Sequence, residues 1–195
     1  MKLKLVLLLL LPLLAFGQLR DSVYVKTDIF ETMYSETLEQ PLWVKYKVQC
    51  TNGTASRKGM DFYTVPGYKT SDAKDYVTNQ WDKGHMAPAA DFSCTPEMLK
   101  KTFSYLNCSL QHQDLNRVHW RLLEDYERLL AYVEGPVNVT IKCYFTKNPS
   151  RVPGGAAIPF AYKKTIVTAK KTLCFYFLNE KPTKPTFVDY QIKCN

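Results

Sequence analysis

The stretch Asp82-Lys83-Gly84-His85-Met86-Ala87-Pro88-Ala89-Ala90-Asp91-Phe92 constrains the chain more than any other. It carries one of only three histidines. Gly84 permits a backbone turn that a side chain would block, and Pro88 bars a helix from running through the segment. The stretch therefore predicts that His85 lies at a strand end or on a tight loop, aimed by the backbone rather than by a helix face. With a reference pKa of about 6.5, an imidazole can take a proton from water near neutrality. A histidine in such a place is either a structural loop residue or a base, and the rest of the chain has to separate the two.

The surrounding pattern is strands, then helices, then strands. Val44, Tyr46 and Val48 alternate with Lys45, Lys47 and Gln49, as in a half-buried strand. Residues 18–40 read as a polar lead-in with one early strand, and residues 71–80 as a short helix. Thr95 with Pro96 is an N-cap followed by proline at the first helical position, so a helix is expected over 97–105. Residues 107–113 are polar and read as irregular. Asp114 is expected to cap a long helix to about Ala131, with Leu115, Val118, Leu122, Tyr126 and Leu129 forming its apolar face. Val137 to Phe145, Ala157 to Val167 and Leu173 to Leu178 read as three further strands. This order argues for α+β rather than a doubly wound sheet.

Outside that body, residues 1–17 read MKLKLVLLLLLPLLAFG: a basic start, an apolar run and a small-x-small ending. That is the pattern of a cleavable signal peptide, too short for a comfortable membrane span. It predicts a secreted or periplasmic protein with one domain over 18–195 and no membrane span. The net charge of +8 suits polyanionic partners such as nucleic acid, anionic glycans or membrane surfaces, and equally suits simple solubility. Six cysteines without a CxxC pair argue against a zinc site and, with an export signal, for disulfides of unfixed pairing. Some can equally be buried thiols.

Along the long helix, Asn116, Trp120, Glu124 and Arg128 recur every four residues. Such residues are surface neighbours, so they predict a slowly drifting ridge. Asn116 falls in the first turn, where an amide oxygen can ligate a hard cation beside the positive end of the helix dipole. Glu124 lies about 12 Å further along the axis and reaches the same ion most easily through a water. Alone, this ridge is a solvated face with a Glu–Arg pair.

Taken together, the Asp82–Phe92 stretch, Asn107, Gln111, Asp114-Leu115-Asn116, Trp120 and Leu123-Glu124 resemble the DNA/RNA non-specific endonuclease family. These are ββα-metal nucleases whose pattern is D-R-G-H-x-A-P, then S-N-x-x-P-Q, then D-L-N-x-G-x-W-x-x-L-E. The resemblance covers most of residues 42–179. It implies a ββα-metal fold: a mixed or antiparallel sheet with a long helix that bears the metal ligand. It implies His85 as general base, Asn116 as the direct ligand of a hydrated Mg²⁺ (or Mn²⁺), and Glu124 acting through that ion's water. It further implies Asn107 and Arg128 acting on the substrate or transition state, an upstream arginine for which Arg57 is the candidate, and substrate contacts from Lys83 and Gln111. DNA and RNA are the implied substrates; whether a protein inhibitor exists is not written in the sequence. Lys83 stands where the family has arginine, keeping charge but losing the guanidinium fork, and Val118 stands where glycine is common. Two other readings compete: a catalytically weak nucleic-acid-binding protein on the same scaffold, and a disulfide-bonded binder of anionic glycans. Neither explains a retained His85, Asn116 and Glu124.

Overall fold

The computed structural model describes residues 19–194; the leader expected over 1–17 lies outside them. The chain opens with β1 (Val23–Lys26), β2 (Phe30–Ser35) and β3 (Gln40–Lys47). A 3₁₀ turn at Ala73–Tyr76 leads to β4 (Trp81–His85), α1 (Pro96–Thr102) and β5 (Cys108–His112). A π-helical turn over Leu115–Trp120 runs directly into α2 (Arg121–Glu134). Strands β6 (Asn138–Tyr144), β7 (Ala161–Val167), β8 (Thr172–Leu178) and the short β9 (Gln191–Ile192) complete the fold.

Seven strands form one antiparallel sheet in the order β1-β2-β3-β6-β7-β8-β9, while β4 and β5 pair separately as a hairpin. This is an α+β architecture with a predominantly antiparallel sheet and one long helix. Strand alternation gives the large sheet two unlike faces. Val44, Val139, Ile141, Tyr162, Ile166 and Phe177 point inward and share a core with Leu115, Trp120, Leu123 and Leu130 of the helix. The hairpin is anchored to the same side: Ser109 Oγ donates to Gln40 Oε1 at 2.8 Å, and Tyr162 Oη donates to the Leu110 carbonyl at 3.0 Å. The hairpin and the long helix, both inserted between β3 and β6, therefore lie on one face of the sheet.

Several expectations need correction. Two early strands stand where one was read. Residues 108–112 are a strand rather than irregular, because the buried Ser109 and Gln111 give it a polar sequence although it is interior. The helix packs through Leu115, Leu123, Glu127 and Leu130, whereas Val118, Leu122 and Leu129 are exposed. The packed stripe was hidden because it contains a glutamate. Asp114 makes no capping hydrogen bond. By contrast Thr95 caps α1 as read, accepting from the Met98 N–H at 3.2 Å. The cysteines resolve into Cys50–Cys94 and Cys174–Cys194, with Cys108 and Cys143 as buried thiols.

Candidate active site

His85 ends β4. Its ring is packed between Phe62 and Phe103, at centroid distances of 4.6 and 4.8 Å. Nε2 is out of contact with solvent and has no hydrogen-bond partner among the described residues. Burial, reinforced by the positive charge of Arg57, lowers the His85 pKa to about 3, so the imidazole is neutral throughout the ordinary pH range. The next residues are clamped by Asn107. Its main-chain carbonyl accepts from Met86 N–H at 2.9 Å. Its carboxamide accepts from Ala87 N–H at 2.7 Å and donates to the carbonyls of Ala87 and Thr102, each at 2.9 Å.

Gly84 does a different job from the one read in the sequence. It lies inside β4 rather than at a turn, and a Cβ there would come within 2.5 Å of Gln111 Oε1. The hairpin can close over the Gln111 side chain only because position 84 has none.

The facing wall is helical. At 3.6 residues per turn, the eight residues from Asn116 to Glu124 overshoot two turns by about 80°. The π turn at Leu115–Trp120 winds more widely, at about 4.4 residues per turn, and removes most of that overshoot. Asn116 and Glu124 accordingly both line one cavity, while Trp120 turns into the core and is fully buried. The expected four-residue ridge is thus broken at Trp120. Asn116 Nδ2 donates to Asp82 Oδ2 at 3.0 Å, which leaves its carboxamide oxygen free of protein partners among the described residues. Asp82 also holds Arg117, through Nε at 2.9 Å and Nη2 at 2.7 Å.

Beneath the cavity lies a buried charge cluster. Lys164 Nζ, 4.3 Å above the Trp120 ring, donates to Glu127 Oε1 at 2.6 Å. Tyr46 Oη donates to the other Glu127 oxygen at 2.6 Å. Arg128 Nη1 donates to Asp91 Oδ1 at 2.7 Å, and its Nη2 pairs with Asp125. Burial, aided by Glu127, raises the Asp91 pKa against the opposing pull of Arg128. Burial raises Glu124 to about 8: Lys164 opposes the shift, while Glu127 and Asp91 reinforce it. Asp91, Glu124 and Glu127 are three carboxyls facing two buried or half-buried cations, Lys164 and Arg128.

His85, Arg57, Asn116, Glu124 and Arg128 come together around this single cavity of about 640 Å³. They come from the loop after β3, the end of β4 and the long helix. Arg57 has no salt-bridge partner among the described residues. Three expected residues fall elsewhere. Asn107 has its carboxamide engaged by the backbone, so it is fitted to brace the His85 loop rather than to touch a substrate. Gln111 is fully buried under Gly84, because strand alternation turns it with Ser109 towards the sheet. Lys83 does not line the cavity: it pairs with Asp61 at 2.8 Å and lies over the ring of Phe62, which packs on His85. Arg117 and Arg121 line the cavity without having been singled out, although each is one helical turn from a residue that was. Asp91 lies inside the central stretch but was given no role of its own, and Lys164 could not have been recognised, since nothing local marks a strand lysine as buried.

Comparison with known proteins adds independent findings. The family described as DNA/RNA non-specific endonuclease matches residues 16–195. Nuclease EXOG, mitochondrial, of Danio rerio is 34% identical over 103 residues, covering 50% of this chain and 30% of that protein. Nuclease 1, mitochondrial, of Schizosaccharomyces pombe is 29% identical over 143 residues, covering 63% of this chain and 44% of that protein. The mitochondrial nuclease of Saccharomyces cerevisiae is 28% identical over 163 residues, covering 73% and 50%. The matched chain thus spans half or less of these relatives. A chain from a crystal structure of an EndoG/EndoGI complex superposes with a TM-score of 0.76 at 21% identity, over 91% of this chain and 82% of that one. The relatives' names correct one expectation: they point to mitochondria rather than to a secreted or periplasmic location. A basic, acid-free N-terminus is shared by secretory and organellar targeting segments, so charge at that end did not decide between them.

Proposed function

Because the chain belongs to the DNA/RNA non-specific endonuclease family, we propose that it hydrolyses phosphodiester bonds of DNA and RNA with little sequence preference, using His85 as general base. The observation that carries this reading is the meeting of a neutral, unpartnered imidazole nitrogen, a free carboxamide oxygen and two arginines at one cavity.

His85 has the attributes of a base for water. It is uncharged and lines the cavity, and its Nε2 lacks any protein partner among the described residues, so that nitrogen can accept a proton as a water oxygen admitted with the substrate attacks phosphorus. Such catalysis typically contributes about 10²–10⁴-fold. Negative charge then grows on the non-bridging oxygens and on the leaving oxygen. Arg57 and Arg128 can donate charge-assisted hydrogen bonds to them. Arg128 is held in place by Asp91 and Asp125. These donors address phosphate, which carries no direct sequence information.

The donor set also fits a hard divalent cation, for which Mg²⁺ is our choice. Asn116 offers an uncommitted amide oxygen, and Glu124 a carboxyl that lines the same cavity and whose pKa is raised by burial. Oxygen ligands with few protein contacts suit an ion that keeps most of its waters. Asn116 would hold the ion directly and Glu124 through a water. Bound there, it would supply Lewis-acid stabilisation of the developing phosphate charge. Asp82 holds the Asn116 carboxamide so that its oxygen, not its nitrogen, is presented.

The test is digestion of circular DNA and of RNA by the purified chain, with and without Mg²⁺. Nicking and linearisation in Mg²⁺, silence in EDTA and recovery with Mg²⁺ or Mn²⁺ are expected. Full activity in EDTA would remove Asn116 and Glu124 from their roles, and no cleavage of either polymer under any condition would end the nuclease reading.

A further inference from the structure

The face of the large sheet that turns away from the cavity carries an ordered row of side chains. Register pairs Tyr24 with Met33, Met33 with Trp43, Trp43 with Lys142, Lys142 with Lys163, and Lys163 with Tyr176. One residue from each of six neighbouring strands thus falls on a single line, about 24 Å long at about 4.8 Å per strand. None of the six is buried. Lys45 Nζ sits 4.7 Å over the Trp43 ring, and Tyr24 lies 6.1 Å from Trp43. At the other end Tyr144 lies 5.9 Å from Tyr176 and 6.3 Å from the exposed Phe160. Aromatic rings therefore flank a pair of lysines.

The charges on this face are unbalanced. The outward positions of these strands carry Lys26, Lys45, Lys47, Lys142 and Lys163, against Glu31 as their one carboxylate. Glu31 is already paired with Lys26 at 3.1 Å. Lys142 and Lys163 stand directly opposite each other, an arrangement that destabilises a sheet when both are charged. A bound anion removes that repulsion. Solubility alone does not call for two lysines in one cross-strand pair, nor for Trp43 and Tyr176 beside them.

We propose that this face is a second binding surface, separate from the cavity, for single-stranded nucleic acid. Phosphates would meet Lys142, Lys163 and Lys45, and unpaired bases would stack on Trp43, Tyr24 or Tyr176. Stacking needs bases with open faces, which a duplex does not offer, and a basic groove lined with rings is the general device for holding single strands. A row of about 24 Å accommodates a few extended nucleotides. The surface would retain a long or unwound substrate between cuts. The inference rests on the nuclease reading for the class of ligand only.

The test reads binding without turnover: fluorescence anisotropy of a fluorescein-labelled twelve-residue oligothymidylate with the His85→Ala protein in EDTA. Adding Lys142→Gln and Lys163→Gln should weaken binding about tenfold or more at low salt. It should also flatten the slope of log affinity against log salt by about 1.4, at roughly 0.7 per phosphate contact on a single strand. Trp43→Leu should independently cost about fivefold or more. In the protein with His85 intact, the same lysine changes should leave turnover of a small chromogenic phosphodiester unchanged, which also reports that the fold is intact. Unchanged affinity and slope would overturn the proposal. Equal losses for polyphosphate, with no effect of Trp43→Leu, would make the face a general polyanion surface and overturn it as well. So would unchanged oligonucleotide binding accompanied by a shift in sedimentation, which would mark a contact between two copies of the chain. A protein that cuts nothing would refute the nuclease reading while leaving this binding measurement able to decide its own question.

Discussion

The two walls of the cavity are built on opposite physical plans. Around the imidazole the hairpin wall is apolar and the ring itself neutral: His85 sits between two phenylalanine rings, and Asn107 fixes its loop by bonds to main chain. The helix wall is crowded with charge, with Asp91, Glu124, Glu127, Arg128 and Lys164 sharing a poorly hydrated space. A base works by staying uncharged until a proton arrives, so apolar packing suits it. Phosphate and a cation need fixed charge, and fixed charge in low dielectric holds only when partners and geometry are supplied. The difference teaches that one cavity can keep a neutral imidazole beside strong fields if each is held by a separate element.

The contrast can be broken or sharpened by substitution. The largest effect is expected on the hairpin wall: His85→Ala should lower the rate of DNA cleavage by about 10²–10⁴-fold while the thermal midpoint stays close to wild type. Near-normal turnover of the folded variant would sink the assignment. On the charged wall, Lys164→Met strands Glu127 without its cation and should cost about 3–5 kcal/mol in denaturant unfolding. Pairing it with Glu127→Leu should recover much of that stability; a double variant no better than the single would show that the pair is not the reason for the loss.

Asn107→Ala leaves the N–H and carbonyl of Ala87 in the His85 loop, and the carbonyl of Thr102 at the end of α1, without their partner and should cost about 2–4 kcal/mol. If Asn107 braces the loop rather than touching substrate, kcat should fall with KM little changed; a large rise in KM alone would speak for direct contact. Gly84→Ala should cost about 1–3 kcal/mol through overpacking against Gln111, and Gln111→Ala in the same chain should relieve it.

The smallest effect lies far from both walls, and it depends on pH. The Arg20 side chain donates to Glu36 at 2.5 Å, and that hydrogen bond holds the Glu36 carboxyl down at about 2. A depressed carboxyl contributes stability above its unfolded value near 4.5 and loses it as pH falls towards 2. Arg20→Ala should therefore melt a few degrees lower at pH 6 and match the wild type near pH 2. A gap of constant size across that range would contradict the pairing.

Much of this was written locally. Thr95-Pro96 announced the start of α1, the alternation around Tyr46 announced β3, and the residues around His85 announced a strand end. Each depends on neighbours along the chain, and period and cap chemistry suffice to read them. The helix face was misread because the buried stripe includes Glu127, whose partners Tyr46 and Lys164 come from strands 81 and 37 residues away. β5 was missed for a related reason: Ser109 and Gln111 are polar residues turned inward.

By itself, then, the sequence determined the α+β order of elements and the family, and it nominated residues whose chemistry suits water, phosphate and a cation, because these follow from residue type and short spacing. Tertiary structure alone decided which of them meet. The π turn that aligns Asn116 with Glu124, the burial that neutralises His85, the engagement of Asn107 by main chain and the row of lysines and rings across six strands all depend on segments distant in the chain. Their energies arise from desolvation and contact, which no local pattern records.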